Sequence, residues 1–171
     1  MSYEQLRQEV VNTAQEMLAQ GLVQGTWGNV SVRLPDREGM LITPSGMDYK
    51  TLTPGDIVLV EGDMVIGRWK PSTETPLHLA IYDKRSDVGA VVHTHSLYAT
   101  GFAAASRPIP AITEEMAQVI GGSVDHAPYA PCGSSALADL AVKHLGPKQA
   151  VLLARHGLVG VGRDLGEALL S

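Results

Sequence analysis

Three histidines fall where neighbouring strands could bring their side chains together. His93 and His95 close the β-branched run that begins at Val88. Alternate residues of a strand point to one face, so both imidazoles can converge on a metal ion. His156 closes a second predicted strand, AVLLAR. Three imidazoles that leave a fourth position open are typical of catalytic zinc, because water or a substrate oxygen must reach the ion. The pattern therefore indicates a catalytic metal site.

Other uses of the His-x-His pattern are disfavoured by the surrounding sequence. An isolated pair is commonly two ordinary histidines, and only the third histidine favours a site. A metallo-hydrolase of the HxHxDH type needs an Asp-His pair where this chain has Leu97 and Tyr98, a cupin needs a nearby glutamate, and an amidohydrolase barrel needs a longer chain. Of the remaining histidines, His144 suits a solvated helix face, and His126 suits a loop. His78 suits either helix packing or support of the site.

Three turns of small residues precede the histidines. They are GTWGNVS (25–31), TPSG (43–46) and PSTE (71–74). Each offers backbone N–H groups and short hydroxyl or amide donors, which can hold a phosphate monoester without a lysine. Each turn taken alone is also a common turn sequence. By the same reasoning Glu74 is an acid in the first turn of a helix, where the helix dipole favours negative charge.

An alternation of helices and strands must position these residues. A helix is predicted from residue 3 to 20 by apolar residues at helical spacing, namely Leu6, Val10, Ala14, Met17 and Leu18. Further helices are predicted from Ser72 or Thr73 to about Arg85, over 97–105, 114–120 and 134–145, and from Asp164. Strands are predicted over 29–34, 40–43, 56–60, 88–95 and 150–154, and near Val124. The alternation predicts an α/β fold with one mixed sheet covered on both faces.

Composition limits the classes of function. The 171 residues suffice for one domain, and a net charge of -5 disfavours nucleic acid, which needs a concentrated basic face. The single cysteine, Cys132, excludes an internal disulfide and fits a reducing compartment. The polar N-terminus is unlike a signal peptide, and no apolar run approaches the roughly 18 residues that cross a bilayer. We therefore expect a cytoplasmic protein that binds neither membrane nor nucleic acid.

Six blocks of sequence occur in the order seen in class II aldolases. They are GTWGNVSVR, MLITPSGMDYKTLTPGDIV, KPSTETPLHLAIY, VVHTHSLYAT, APYAPCGS and LLARHGLVGVG. The chain resembles, over nearly its whole length, the family of L-fuculose-1-phosphate aldolase, L-ribulose-5-phosphate 4-epimerase and adducin head domains. The resemblance implies a three-layer α/β/α sandwich around a mixed, largely antiparallel sheet. It also implies a homotetramer with sites between subunits, and a single domain over 1–171 that lacks the family's C-terminal tail.

The resemblance also assigns roles to single residues. It makes His93, His95 and His156 ligands of Zn²⁺. Glu74 becomes a further ligand in the resting enzyme and the catalytic acid/base. The phosphate-binding positions that it implies are Gly28, Asn29, Ser45, Gly46, Ser72 and Thr73.

The implied activity is reversible, zinc-dependent cleavage of a ketose 1-phosphate, similar to L-fuculose 1-phosphate, into dihydroxyacetone phosphate and an aldehyde. Glu74 stands where the epimerases carry aspartate, which favours this activity over a sugar-phosphate 4-epimerase, decarboxylase or dehydratase. The complete metal set disfavours a non-catalytic adducin-like scaffold. Thr113, Glu114 and Glu115 stand where the fuculose aldolases carry a tyrosine, so the aldehyde is expected to differ.

Overall fold

Short runs of apolar residues form the strands of one central sheet. In the computed structural model, which describes residues 2–36 and 38–171, the strands are β1 (Asn29–Arg33), β2 (Met40–Ile42), β3 (Val58–Glu61), β4 (Met64–Ile66), β5 (Ala90–Thr94), β6 (Asp125–Ala127), β7 (Ala150–Leu153) and β8 (Gly157–Gly162). Their order in the sheet is β4-β3-β2-β1-β5-β8-β7-β6. Neighbours run antiparallel except β6 and β7, which are parallel. The predicted mixed, largely antiparallel sheet is confirmed.

Six α-helices cover the two faces of this sheet in the part of the chain that the structure describes. They are α1 (Tyr3–Ala19), α2 (Thr75–Lys84), α3 (Leu97–Ala104), α4 (Glu114–Ile120), α5 (Ser135–Leu145) and α6 (Leu165–Leu170). Val92 packs with α1 and α6, whereas its neighbour Val91 packs with α2 and α5. Helices α3 and α4 lie over Ala150 and Leu152, on the same face as α1. The α/β fold with helices on both faces is therefore confirmed.

Local signals in the sequence locate most of the helices. The side chain of Ser2 accepts a hydrogen bond from the Gln5 N–H and begins α1, whose buried residues Leu6, Val10 and Met17 face the core. Ser134 and Asp164 cap α5 and α6 in the same way, as predicted. Over residues 2–36 and 38–171, no helix is both long and apolar enough to cross a membrane.

The strand predictions were wrong in three places. Pro54–Asp56 forms a 3-10 turn, so β3 begins at Val58 rather than at residue 56. Strand β4 was not predicted because its three residues are too short a run to recognise. Strand β8 was missed because three of its six residues are glycine, which has low strand propensity.

The glycines of β8 allow helix α6 to lie directly on the sheet. A Cβ atom on Gly160 would lie 2.6 Å from the carbonyl oxygen of Ala168, and one on Gly162 would lie 2.5 Å from the Ala168 nitrogen. Both separations are shorter than van der Waals contact. The close helix–sheet contact therefore requires glycine at these positions, and these glycines lower the strand propensity of β8.

Gly160→Ala should destabilise the protein because its new methyl group overlaps the backbone of α6. We expect the free energy of unfolding to fall by about 1–3 kcal/mol, the usual cost of overpacking, as measured by denaturant titration. Gly101→Ala is the matched control, since a Cβ atom on Gly101, inside α3, meets nothing within 4 Å. Alanine there should maintain or raise stability. Equal stability of the two variants would contradict the close-packing argument.

Candidate active site

The pairing of β1, β5 and β8 gathers chemically active residues at one end of the sheet. Asn29, the first residue of β1, lies opposite His93 in β5. On the other side of β5, His93 lies opposite Val159 of β8. His95 follows β5 directly and is held by a hydrogen bond from its N–H to the Leu22 carbonyl, 3.0 Å. The sheet register therefore places the His-x-His pair beside the start of β1.

The three predicted imidazoles do converge. The ring centroids of His93, His95 and His156 lie 4.8–5.1 Å apart, and one nitrogen from each lies within 4.8 Å of the others. His156 was predicted to close a strand. It lies instead in the turn between β7 and β8. Arg155 makes that turn with a left-handed φ of 59°, which reverses the chain and turns His156 back toward the other two.

A hydrogen bond holds the His93 ring so that its Nε2 faces the other histidine and the carboxylate, as a metal ligand requires. Its Nδ1 lies 2.9 Å from the Leu158 carbonyl oxygen, which can only accept, so Nδ1 carries the proton and Nε2 is left with a lone pair when the ring is neutral. That Nε2 lies 3.0 Å from His95 Nε2 and 3.1 Å from Glu74 Oε2. Acceptors this close repel unless a proton or a metal ion lies between them.

The spacing of these atoms fits a divalent metal ion. Ligand atoms about 2.0–2.1 Å from a tetrahedral zinc ion lie about 3.3 Å from one another. The separations from His93 Nε2 to its two neighbours, 3.0 and 3.1 Å, are close to that value, as is the 3.5 Å from Glu74 Oε1 to His156 Nε2. Three imidazoles and one carboxylate therefore form a donor set into which a metal ion fits.

Glu74 is the acidic member of this group and is only 4% exposed. Its Oε2 accepts a hydrogen bond from Asn29 Nδ2, 2.9 Å, whereas its Oε1 accepts none from the residues that the structure describes. Burial alone would raise the pKa of Glu74, but attraction to His93 and His156 and the Asn29 hydrogen bond hold it well below its usual range. The carboxylate is therefore ionised at neutral pH.

Helix α2 begins one residue after Glu74, which corrects the predicted start at Ser72 or Thr73. Ser72 Oγ does not cap the helix but accepts the Glu74 N–H at 3.2 Å, while the Thr75 hydroxyl donates to the Ser72 carbonyl at 2.7 Å. Pro76 lies in the first turn of α2, where its missing N–H costs no hydrogen bond. Because the Glu74 side chain makes no capping hydrogen bond, its carboxylate can face the histidines.

The three predicted turns meet around one cavity of about 360 Å³. An isolated bridge between Pro44 and Pro71 joins the second turn to the third, and the Tyr49 hydroxyl holds the first by donating to the Gly28 carbonyl at 2.6 Å. The lining comprises Thr26, Trp27, Gly28, Asn29, Pro44, Ser45, Gly46, Ser72, Thr73, Glu74, Cys132, His95 and His156. Every site residue predicted from the sequence lines this cavity except His93, which is fully buried.

Gly28 brings the first turn close to the histidines. Its φ is +79°, and a Cβ atom on it would lie 2.6 Å from the His93 carbonyl oxygen. Only glycine combines this conformation with this close approach. A larger cavity of about 600 Å³ lies beside α3, α4 and α6, but its lining is mostly apolar and includes no histidine.

Trp27 and Cys132 line the cavity but have no role in the sequence-based prediction. Trp27 is 64% exposed, and its ring centroid lies 5.6 Å from that of His95. Its signal was one large aromatic residue among small ones in GTWGNVS. Cys132 lies near Glu74 and His156, and burial together with the Glu74 charge raises its pKa to about 11, so it is a neutral thiol. Its signal in the sequence is its place in the block APYAPCGS, between proline and glycine.

His78 supports the site rather than serving only helix packing. It is fully buried between Asn29 and Ser31, and Ser31 in turn contacts the Tyr82 hydroxyl. Burial lowers the pKa of His78 to about 3, so the ring is neutral. Ser31 and Tyr82 were not predicted as part of this group. The spacing could have indicated them, because Ser31 lies two residues after Asn29 in a strand and Tyr82 lies four residues after His78 in a helix. His126, predicted in a loop, lies in strand β6.

Comparisons with known proteins show which family the chain is similar to. The family described as Class II Aldolase and Adducin N-terminal domain matches residues 8–171. L-fuculose phosphate aldolase of Escherichia coli O6:H1 is 41% identical over 170 residues, which are 99% of this chain and 78% of that protein. The 5-methylthioribulose-1-phosphate/5-deoxyribulose-1-phosphate aldolase of Rhodospirillum rubrum is 40% identical over 96% of this chain and 74% of its own. A solved structure of L-fuculose 1-phosphate aldolase superposes with a TM-score of 0.93 at 36% identity, covering 97% of this chain and 79% of that chain.

Acid should destabilise the fold partly through His78. The pKa of His78 is about 3 in the folded protein and about 6.5 in the unfolded chain, so between these pH values only the unfolded chain binds the proton. The free energy of unfolding therefore falls as pH decreases from 6.5 toward 3, by up to about 1.4 kcal/mol per pH unit from this group.

His78→Gln removes the titrating group, so its free energy of unfolding should depend less steeply on pH. Denaturant titrations between about pH 6 and 4, with a chelator present so that metal binding does not contribute, measure the difference in slope. His144→Gln, near the end of α5, is the control for removing a histidine. Equal slopes for His78→Gln and the wild type would contradict the assignment.

Proposed function

The chain belongs to the class II aldolase and adducin N-terminal domain family and is an aldolase-type lyase, and from this we propose that it cleaves a ketose 1-phosphate reversibly into dihydroxyacetone phosphate and an aldehyde. The observation that carries the proposal is the buried, ionised Glu74 beside three converging imidazoles, at a cavity lined by small hydrogen-bond donors. We propose that it works as a homotetramer, as the resemblance to the family implies.

The metal in this proposal is zinc. His93, His95 and His156 would hold it through imidazole nitrogens, and Glu74 would complete the set in the resting enzyme. Imidazole-rich sites without cysteine, with one position open to substrate, suit catalytic zinc. Burial lowers the pKa of His95 to about 4 and also lowers that of His156, which favours the uncharged rings that can bind a cation. The ion would supply Lewis-acid stabilisation of negative charge on substrate oxygens.

The phosphate group of the substrate would be held by the three turns. Ser45 and Thr73 are exposed at the cavity and offer hydroxyl donors, and Gly46 offers its backbone N–H. Ser72 is buried beneath them and uses its oxygen as an acceptor for the Glu74 N–H, so its own O–H remains to donate. The Asn29 amide likewise carries a second N–H beyond the one that binds Glu74, and Gly28 lets the backbone approach closely.

Glu74 would move the proton of the reaction. In the condensation direction it takes a proton from the carbon beside the carbonyl of dihydroxyacetone phosphate, and in cleavage it returns a proton to that carbon. Its Oε2 is held by Asn29, whereas Oε1 is buried and accepts no hydrogen bond from the described residues, so Oε1 is the oxygen prepared to receive the proton.

The identity of the sugar depends on residues at the cavity mouth. The two relatives described above are named for different ketose 1-phosphates, which supports the class of substrate rather than one member of it. Trp27 and Cys132 line the same cavity as the phosphate-binding turns. We propose that their size and polarity select the aldehyde portion of the substrate.

Replacing the three histidines with alanine should abolish metal binding. His93→Ala, His95→Ala and His156→Ala each remove one of three imidazole ligands, and we expect the triple variant to retain less than a tenth of the wild-type zinc, as measured by elemental analysis. His126→Ala, in β6 and outside the cavity lining, is the control. Stoichiometric zinc in the triple variant would contradict the proposed ligand set.

Glu74→Gln should separate metal binding from proton transfer. Glutamine preserves the size of the side chain but cannot accept the proton, so exchange of the dihydroxyacetone phosphate C3 proton with solvent should slow by about 10²–10⁴-fold. Exchange is measured by NMR in deuterated water, with Glu16→Gln on the exposed face of α1 as the control.

Wild-type exchange in Glu74→Gln would contradict the role of Glu74 as the base. Product analysis with a panel of ketose phosphates tests the reaction itself. Formation of dihydroxyacetone phosphate supports the aldolase. A sugar phosphate with an unchanged number of carbons would instead indicate epimerisation or dehydration.

A further inference from the structure

A continuous line of buried polar side chains leads from the candidate active site into the layer between α2 and the sheet. It consists of Glu74, Asn29, His78, Ser31 and Tyr82, each at most 7% exposed. Asn29 donates to Glu74 at 2.9 Å, and its side-chain oxygen meets His78 Nε2. His78 Nδ1 lies 2.6 Å from Ser31 Oγ, which lies 2.7 Å from the Tyr82 hydroxyl. The contacts leave no gap between the carboxylate and Tyr82.

The direction of the first two hydrogen bonds in this line is fixed by chemistry. The Glu74 carboxylate can only accept, so Asn29 must present its NH₂ group to Glu74 and its carbonyl oxygen to His78. A carbonyl oxygen also can only accept. The nitrogen of His78 that faces it, Nε2, must therefore carry a proton.

The direction of the remaining bonds follows from the burial of His78. A full charge on a ring with no solvent exposure is unfavourable, so a single proton is expected on the ring, and it already lies on Nε2. Nδ1 is then an acceptor and takes the Ser31 hydroxyl proton. Ser31 Oγ in turn accepts from the Tyr82 hydroxyl. All four bonds thus donate toward Glu74.

We propose that His78, as the Nε2–H tautomer whose Nδ1 accepts from Ser31, is a positioning residue that fixes the orientation of the Asn29 amide and so holds Glu74 Oε2, leaving Oε1 to exchange the substrate proton. Without a donor at His78, the Asn29 oxygen would be buried and unpaired. The amide could then turn over and place that oxygen against the carboxylate, where the two would repel. This inference rests on the proposed role of Glu74 as the base.

The far end of the line is anchored by Arg33. Its guanidinium lies 4.7 Å from the centre of the Tyr82 ring and donates to the Tyr82 backbone carbonyl at 2.7 Å. The same side chain binds the carbonyls of Arg85 and Val88, beyond the end of α2. Turning the Tyr82 side chain away from Ser31 would break the contact between its ring and this guanidinium, which the three backbone carbonyls hold in place.

The tautomer is tested directly in the metal-loaded, full-length protein. Nitrogen-15 NMR of protein labelled at histidine distinguishes a protonated ring nitrogen from one with a lone pair, and the His78 signals are identified by their loss in His78→Gln. We expect Nε2 to be protonated and Nδ1 to be unprotonated. A proton on Nδ1 alone, or on both nitrogens, would overturn the proposal, and this reading requires no activity.

The effect on chemistry is tested by comparing two substitutions at the same position. His78→Gln can place an N–H where Nε2 lies, whereas His78→Leu offers similar bulk without a donor. We expect His78→Leu to lower kcat by about 10–100-fold, and His78→Gln to recover at least a third of the wild-type kcat. His144→Leu is the control for replacing a histidine by leucine.

The possible results separate the two proposals. Equal loss of kcat in His78→Leu and His78→Gln, with both folded by circular dichroism, would overturn the positioning role, as would a change in KM alone. If Glu74→Gln retains wild-type proton exchange, the proposed function of Glu74 fails instead, whatever tautomer His78 adopts. The Nε2–H tautomer together with glutamine rescue supports the proposal.

Discussion

The carboxylate of Glu74 is almost completely buried, and an ionised carboxylate in a protein interior costs several kcal/mol unless donors and cations surround it. Here Asn29 supplies a hydrogen bond to one oxygen, and His93 and His156 lie 3.1 and 3.5 Å from the two oxygens. The same surroundings that stabilise the charge also form the donor set for a metal ion. Asn29 at the start of β1, His93 in β5 and Glu74 just before α2 therefore have to come together at one place.

Helix α2 is tied to the sheet near both of its ends. At its N-terminal end the Glu74 carboxylate is bound by Asn29 of β1, and beyond its C-terminal end Arg33 of β1 binds the carbonyl of Arg85. Between them His78 and Tyr82, one and two turns along the helix, contact Ser31 or Asn29. A helix held at several points along its length cannot slide relative to its strand, so the distance from Glu74 to the histidines is kept constant.

Residues whose geometry is local were predictable from the sequence. The pair His93 and His95 could be placed because every strand directs alternate residues to one face, and α5 could be placed from its cap at Ser134. The turn sequences indicated donors for a phosphate, and the structure brings these turns around one cavity. Recognition of the family blocks supplied the layered architecture, which local patterns predicted only in outline.

Features that depend on pairing between distant segments were not predictable in the same way. The reversal at Arg155 that redirects His156 arises only because β7 and β8 form an antiparallel pair. The glycines of β8 are explained by a helix that arrives from the following segment. The contact between Ser31 and Tyr82 spans 51 residues of sequence, and each residue separately is an ordinary strand or helix residue.

The division of β1 into two faces has a consequence for how the chain reaches its native state. One face of β1 carries polar residues that contact α2 or Glu74 just before it, namely Asn29, Ser31 and Arg33. The other face carries Val30 and Val32, which pack with α1. A slip of β1 by one residue against β5 would exchange these two sets. It would bury two unpaired polar side chains and a guanidinium against the apolar side chains of α1, and it would place valines opposite His78. The polar face of β1 therefore specifies the register of β1 against β5 during folding. A chain with the register shifted by one residue is strongly disfavoured relative to the native pairing.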